Sequence, residues 1–218
     1  MWLRTSSLHR RASNDMACED AAGESLAAEK KRLRLLALGR RAALGPQARA
    51  AASEAAARQA SAALGDISGL TVSLFCAFRD EIDTAPLAAE LRARRARLAL
   101  PVILGRDRPL LFRLWRAEDA LIPAGAFRIP EPPADAEEVV PDVLMVPLAA
   151  FDRRGYRIGY GAGFYDRTLA LLRAQRPVRA LGYAFACQEV EEVPAEPHDE
   201  PVDMMITERE SFSVTARP

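Results

Sequence analysis

The chain has 218 residues, half of them apolar, with 30 basic against 30 acidic side chains. That length fits one domain with a sizeable core, the apolar half argues against disorder of the whole chain, and zero net charge argues against a general binder of nucleic acid or anionic membrane. Three widely spaced cysteines (Cys18, Cys76 and Cys187) and two histidines (His9 and His198) make neither a disulfide framework nor a CxxC or histidine-rich metal centre, and they suit a reducing cytoplasm.

Residues 1–24 are basic first and then acidic. Glu19 and Asp20 spoil a transit-peptide pattern, and no secretory apolar core is present. This stretch reads as a disordered extension, with Met16 as an alternative start, ahead of one domain over residues 25–218. No apolar run approaches membrane-spanning length.

Residues 25–44 read as a helix with Leu26, Leu33, Leu36 and Leu44 on one face. Lys30, Arg34 and Arg41 form a second stripe at its edge, which by itself reads as a solvated basic face. Gly45-Pro46 breaks the chain, and an alanine-rich helix runs from Pro46 to a stop at Gly65. Residues 71–78 (TVSLFCAF) read as a strand, followed by a polar loop from Arg79. Thr84 is placed to cap a helix over residues 86–94. On residue type alone, Cys76 is a small hydrophobe and Glu81 a solvated carboxylate. Residues 98–104 and 110–115 read as strands about a glycine-proline turn. Phe127 precedes an extended proline segment and reads as core.

Residues 142–151 read as a buried strand that feeds RRGYRIGYGAGFYDR, Arg153 to Arg167, with a helix over residues 168–172. Gly155, Gly159, Gly161 and Gly163 allow a ligand to approach the backbone closely. A helix start supplies N–H groups and partial positive charge. Arg153, Arg154, Arg157 and Arg167 add full charges, and Tyr156, Tyr160, Phe164 and Tyr165 add aromatic surface. This combination reads as a phosphate cradle, against the alternative of a tight turn. It has neither Walker spacing nor a GxGxxG at a first strand. Asp166, ending the loop, suits Mg²⁺, which is held by one or two carboxylates plus substrate phosphates. Residues 179–187 and 204–207 read as further strands, and residues 197–201 as a rigid polar loop in which Asp199 alone reads as a turn residue. The alternation predicts an α/β fold, a Rossmann-like three-layer sandwich around a largely parallel sheet. Ligands in such folds sit beyond the carboxyl ends of strands, where the loops after Phe78 and Phe151 both lie.

AFDRRGYRIGYGAGFYDR resembles the signature of the 5-formyltetrahydrofolate cyclo-ligase family, also called methenyltetrahydrofolate synthetases. Four other stretches match in order: Lys-x-x-x-Arg at Lys30 and Arg34, DEIDT from Asp80, FRIPEPP from Phe127 and PHDEPVD from Pro197. The resemblance covers residues 28–208. It implies a reaction in which ATP and Mg²⁺ convert 5-formyltetrahydrofolate to 5,10-methenyltetrahydrofolate, releasing ADP and phosphate. The alternative is a non-catalytic relative that binds folate or nucleotide; a dinucleotide oxidoreductase lacks its early glycine turn and ribose-binding acid.

By the same resemblance, Lys30, Arg34 and Arg157 stabilise the transferring phosphoryl. Nucleotide is held by these three with Ile158, Gly159, Tyr160, Gly161, Ala162, Gly163, Phe164 and Tyr165. Cys76, Glu81, Phe127, Tyr160 and Phe164 hold the folate, and Asp166 and Asp199 hold the metal. The expected protein is a cytoplasmic monomer acting on small molecules, with neither nucleic acid nor membrane as partner. Ala162 departs from the family, which has glycine or lysine there. If the position requires positive φ, alanine is strained.

Overall fold

The computed structural model describes residues 8–125 and 128–214, with side chains from residue 25 onward. Its elements in chain order are α1 (Leu8–Ala42), α2 (Pro46–Leu64), β1 (Thr71–Ser73), α3 (Ala85–Ala93), β2 (Arg97–Val102), β3 (Leu111–Leu114), β4 (Ile122–Ala124), β5 (Ile129–Glu131), β6 (Val143–Val146), β7 (Ala150–Phe151), β8 (Arg157–Ile158), α4 (Phe164–Gln175), β9 (Arg179–Tyr183), a 3₁₀ turn (Ala186–Gln188), β10 (Met204–Ile206) and β11 (Ser211–Ser213). Phe127 and residues 1–7 of the expected extension lie outside the described residues, and the rest of that extension, residues 8–24, is described by its backbone alone, as the first part of α1.

The four expected apolar runs lie side by side. The main sheet has the order β11-β10-β9-β6-β1-β2-β3, with β10, β9, β6, β1 and β2 parallel and both edge strands antiparallel. Side chains alternate across a strand. Leu98, Leu100, Val143, Met145, Leu181 and Tyr183 therefore face α2 and α3, where Ala56, Ala57, Ala60, Leu87 and Leu91 are buried. Ala99, Leu144, Val146, Ala180 and Met205 face the other way, against Leu169 and Leu172 of α4. Both faces are covered, which is why β6 is buried at every position. The result is the expected three-layer α/β sandwich.

Several boundaries differ from the sequence reading, each for a local reason. The strand expected over residues 142–151 is two: Pro147 lacks an N–H, and beyond it β7 turns away to pair with β8. The strand expected over residues 71–78 keeps its ladder only through Ser73, although Leu74 N–H still donates to Ala99 O at 2.9 Å. Thr84 stands at the N-cap position, but its hydroxyl donates to Phe75 O at 2.7 Å, and Asp83 Oδ1 accepts from Ala85 N instead. Helix α4 begins four residues before the expected start at residue 168, so Asp166 sits in its first turn. On α1 the buried stripe is Leu33, Ala37 and Arg41, whereas Leu36 is 41% exposed. The reason is that α1 packs with Leu33 and Ala37 on Ala150 and Ile158 of the small hairpin, which rolls its basic edge inward. Among the described residues, no helix is long and apolar enough to cross a membrane.

Candidate active site

The glycine stretch divides into a hairpin turn and an open loop. Asp152, fully buried, organises the turn: Oδ1 accepts from the N–H groups of Arg154 and Tyr156, and Oδ2 from Val193 N at 2.9 Å. Gly155 belongs to this turn. Its φ is 81°, and a Cβ there would stand 2.7 Å from Val202 O. Arg153 pairs with Glu189 and Glu210, and Arg154 with Asp152 and Glu192. Neither lines the cleft described next, so the expected charge of the cradle shrinks to Arg157 and Arg167 on this stretch.

After β8 the loop 159–163 opens onto a cleft of about 620 Å³. Gly161 and Gly163 hold φ of 96° and 63°, which only glycine adopts at low cost. Ala162 is not among the positive-φ residues, so alanine is unstrained there. Gly163 caps α4 without a side-chain acceptor, leaving the first-turn N–H groups of the helix for a ligand.

The cleft is lined by Lys30 and Arg34 of α1, Arg157, the loop backbone, Asp166 and Arg167 of α4, and the segment 196–200. Arg34 Nε donates to Gly159 O at 2.7 Å and ties α1 to the loop. Arg157 is 8% exposed, donates to Asp166 Oδ1 at 2.9 Å and also reaches Glu200 O. Lys30 Nζ lies 2.6 Å from both Asp199 Oδ2 and Glu196 Oε2. Burial alone would lower the Lys30 pKa, but those two carboxylates carry it above the usual lysine value. Glu196, His198 and Asp199 each bring a ligand atom within 4.8 Å of the others. With Asp166 across the cleft, the oxygen donors suit a hard cation held partly by phosphate.

The loop's other side carries a second cluster. Glu81 is deeply buried; Oε2 accepts Phe78 N–H at 2.9 Å, and burial pushes its pKa up against that bond, Tyr160 and Arg41. Tyr160, at the start of the open loop, meets Glu81 through its hydroxyl, which also accepts from Arg41 at 2.9 Å. Burial and Glu81 push the Tyr160 phenol up to about 12. Cys76 packs against the first core cluster, its thiol pushed up to about 11 by burial and Glu131, which makes it a wall rather than a nucleophile. The Tyr165 hydroxyl is buried without a hydrogen-bond partner among the described residues, within electrostatic reach of Glu81, Cys76 and Arg157. Tyr160, Phe164 and Tyr165 do not line the phosphate-sized cleft, and Phe164 packs on the second core cluster under the Arg167 guanidinium.

A protein-family model, the 5-formyltetrahydrofolate cyclo-ligase family, matches residues 26–208. The chain belongs to the 5-formyltetrahydrofolate cyclo-ligase family. A 5-formyltetrahydrofolate cyclo-ligase of Escherichia coli (strain K12) is 39% identical over 142 residues, 63% of this chain and 77% of that protein. One from Haemophilus influenzae is 35% identical over 135 residues, 60% of this chain and 72% of that protein. Among solved structures, a 5,10-methenyltetrahydrofolate synthetase of Aquifex aeolicus superposes with a TM-score of 0.69 at 28% identity, covering 87% of this chain and 94% of that one. A synthetase of Mycoplasma pneumoniae, 21% identical, shares the fold with a TM-score of 0.66, over 82% of this chain and 98% of that one.

Most described site candidates of this cyclo-ligase-family chain thus fall in one of two clusters on either side of the glycine loop, whereas Phe164, expected against the folate, packs on the second core cluster instead. Lys30, Arg34, Arg157, Asp166 and Asp199 share the cleft, while Glu81 and Tyr160 meet through the Tyr160 hydroxyl, and Cys76 and Glu81 both lie within electrostatic range of Tyr165. Sequence reading missed Glu196, whose carboxylate shares Lys30 with Asp199, and Arg41, left in the solvated stripe. The density of acids in 196–200 was a signal for the first. Nothing in the sequence signalled that Arg41 would be buried.

Proposed function

We infer that this protein is an ATP-dependent enzyme that closes 5-formyltetrahydrofolate to 5,10-methenyltetrahydrofolate, releasing ADP and phosphate. The formyl oxygen takes the γ-phosphoryl of ATP, nitrogen 10 attacks the activated carbon, and the oxygen leaves as phosphate. A formyl amide is a poor electrophile, and phosphorylation turns its oxygen into a leaving group. The protein's work is positioning and charge stabilisation.

Lys30, Arg34 and Arg157 meet charge on the transferring phosphoryl, and the N–H groups from Gly159 to Tyr165 hold the polyphosphate at the α4 N-terminus. Asp166 and Asp199 would hold Mg²⁺, which neutralises charge on bound phosphates. Glu81 accepts from the pterin's adjacent N–H donors, with Cys76 and Phe127 as walls and Tyr160 over the ring. The protein works as a cytoplasmic monomer on these small molecules, with neither nucleic acid nor membrane as partner.

The observation that carries this reading is one loop serving two clusters: Arg34 grips Gly159 O on the cleft side while Tyr160 bonds Arg41 and Glu81 on the other. Arg34, read as a phosphate partner, and Glu81, read as the pterin acceptor, thus stand on either side of one short backbone segment, which supports the reading. The test is to mix purified protein with 5-formyltetrahydrofolate, ATP and Mg²⁺ and follow the absorbance band of the methenyl product. A band that grows only with ATP supports the enzyme. Folate binding without that band supports a non-catalytic relative.

A further inference from the structure

Arg41 is a buried charge with little to do in a purely structural account. It is 3% exposed, and its Nε has no hydrogen-bond partner among the described residues. One terminal nitrogen donates to Tyr160 Oη at 2.9 Å and lies 4.0 Å from Glu81 Oε1. Burying a guanidinium is costly unless its charge is used. Arg41 also continues the line of Lys30 and Arg34, each at helical spacing from the next. Over the eleven residues from Lys30 to Arg41, α1 advances about 16 Å. The same helix therefore reaches the acids of segment 196–200 with Lys30, the loop carbonyl with Arg34 and the Glu81 cluster with Arg41.

We propose that Arg41 is a positioning residue for the folate end of the site: it holds Glu81 as a charged acceptor and fixes Tyr160, so that the pterin meets a carboxylate rather than a carboxylic acid. This rests on the reading of Glu81 as the pterin's partner. A protonated Glu81 would present an O–H donor toward the pterin's own N–H donors and lose one of the two bonds.

The groups facing Glu81 leave that task to Arg41. On its own loop it accepts from Phe78 N–H, and the glycine loop offers only the Tyr160 hydroxyl. From α4, Tyr165 adds a neutral phenol. Arg49 of α2 is engaged by the neighbouring Asp80 at 3.4 Å. Arg41 is the one cation paired with Glu81 among the described residues. Burial already raises the Glu81 pKa, and loss of Arg41 raises it further.

The experiment measures 5-formyltetrahydrofolate affinity without ATP from pH 5.5 to 8 for wild type, Arg41→Met, Arg41→Lys and Glu81→Gln. Groups on the ligand titrate identically in all four, so differences report the protein. Wild type should hold its affinity into the acidic range. Arg41→Met should weaken as pH falls, by up to about tenfold per pH unit below the Glu81 pKa. Arg41→Lys, which keeps the charge, should restore much of the wild-type profile. ATP affinity should change little in either. A parallel profile for Arg41→Met, offset by the same factor at every pH, overturns the proposal. So does a wild-type profile in Arg41→Met accompanied by a lower melting temperature alone. If Arg41→Met does not fold, Arg41→Gln, which removes the charge but keeps a donor for Tyr160, takes its place, and a parallel or wild-type profile in it overturns the proposal equally. Glu81→Gln separates the layers: if it binds folate as wild type does, the Glu81 reading itself fails, whatever Arg41 shows.

Discussion

Lys30 and Asp199 hold each other at 2.6 Å, the ammonium of one against the carboxylate of the other. The family resemblance assigns them to opposite ligands, phosphate and metal. On the proposed reading each stands where the other's partner would bind, the carboxylate in the anion's place and the ammonium in the cation's. Polyphosphate and cation must then arrive together for both to exchange partners without leaving a charge unpaired. This makes Lys30 decisive for nucleotide binding. Lys30→Ala removes a charge-assisted contact worth roughly 1.5–3 kcal/mol, or about 10- to 150-fold in ATP affinity. Lys31 is exposed and turned about 100° away, so Lys31→Ala should bind ATP as wild type does. Titration of both variants with ATP checks this, and equal losses would place α1 in a different rotation.

Asp199→Asn should change sign with the metal. Without Mg²⁺, the variant leaves Lys30 paired with Glu196 alone and removes a negative charge from the cleft, so ATP should bind more tightly than to wild type. With Mg²⁺, it lacks a ligand and should need a higher Mg²⁺ concentration for the same rate. Asp166→Asn should also shift the Mg²⁺ dependence, while folate affinity without ATP stays near wild type. If the two aspartates only brace the fold, through Lys30 and Arg157, melting temperatures will fall and the Mg²⁺ curves will stay in place.

The loop glycines make a separable prediction. At Gly163, φ is 63° and a Cβ would meet an Arg167 nitrogen at 2.8 Å. Gly163→Ala should cost on the order of 1–2 kcal/mol from the left-handed backbone, and should weaken ATP binding by disturbing the first turn of α4. Ala162→Gly, at a position without positive φ, should leave nucleotide affinity within about twofold, since an unstrained backbone gains nothing from glycine. Thermal melts and ATP titrations on the same samples check both.

Tyr165 packs on the second core cluster yet carries a polar atom that the packing does not use. Its hydroxyl is buried and unpartnered, so Tyr165→Phe should leave the melting temperature unchanged or raise it, by up to about 1 kcal/mol in stability. Turnover should nonetheless fall if a substrate that spans the two clusters meets this hydroxyl, which lies within electrostatic range of Arg157 in the cleft and Glu81 in the second cluster. A variant that keeps wild-type turnover would assign the hydroxyl no ligand.

Much of this protein was legible in one dimension. The apolar runs at Thr71, Leu98, Val143 and Arg179 are near-continuous rather than alternating, and burial of both faces of a parallel sheet demands that pattern, so the three layers follow from local sequence. The glycine loop was equally legible, because positive φ at Gly161 and Gly163 is a backbone requirement written in residue type. What the chain alone left open were pairings between charges far apart in sequence. Arg153 and Arg154 looked like phosphate ligands, yet they are consumed by Glu189, Glu210 and Glu192. Arg41 looked solvated, yet it is buried against Glu81. An arginine's partner depends on which carboxylate the fold delivers within a few ångströms, and helix periodicity specifies only the direction in which it points. The rotation of α1 was decided by the hairpin it packs on, through Leu33 and Ala37, and that rotation turned a surface stripe into the line of cations that runs the length of the site.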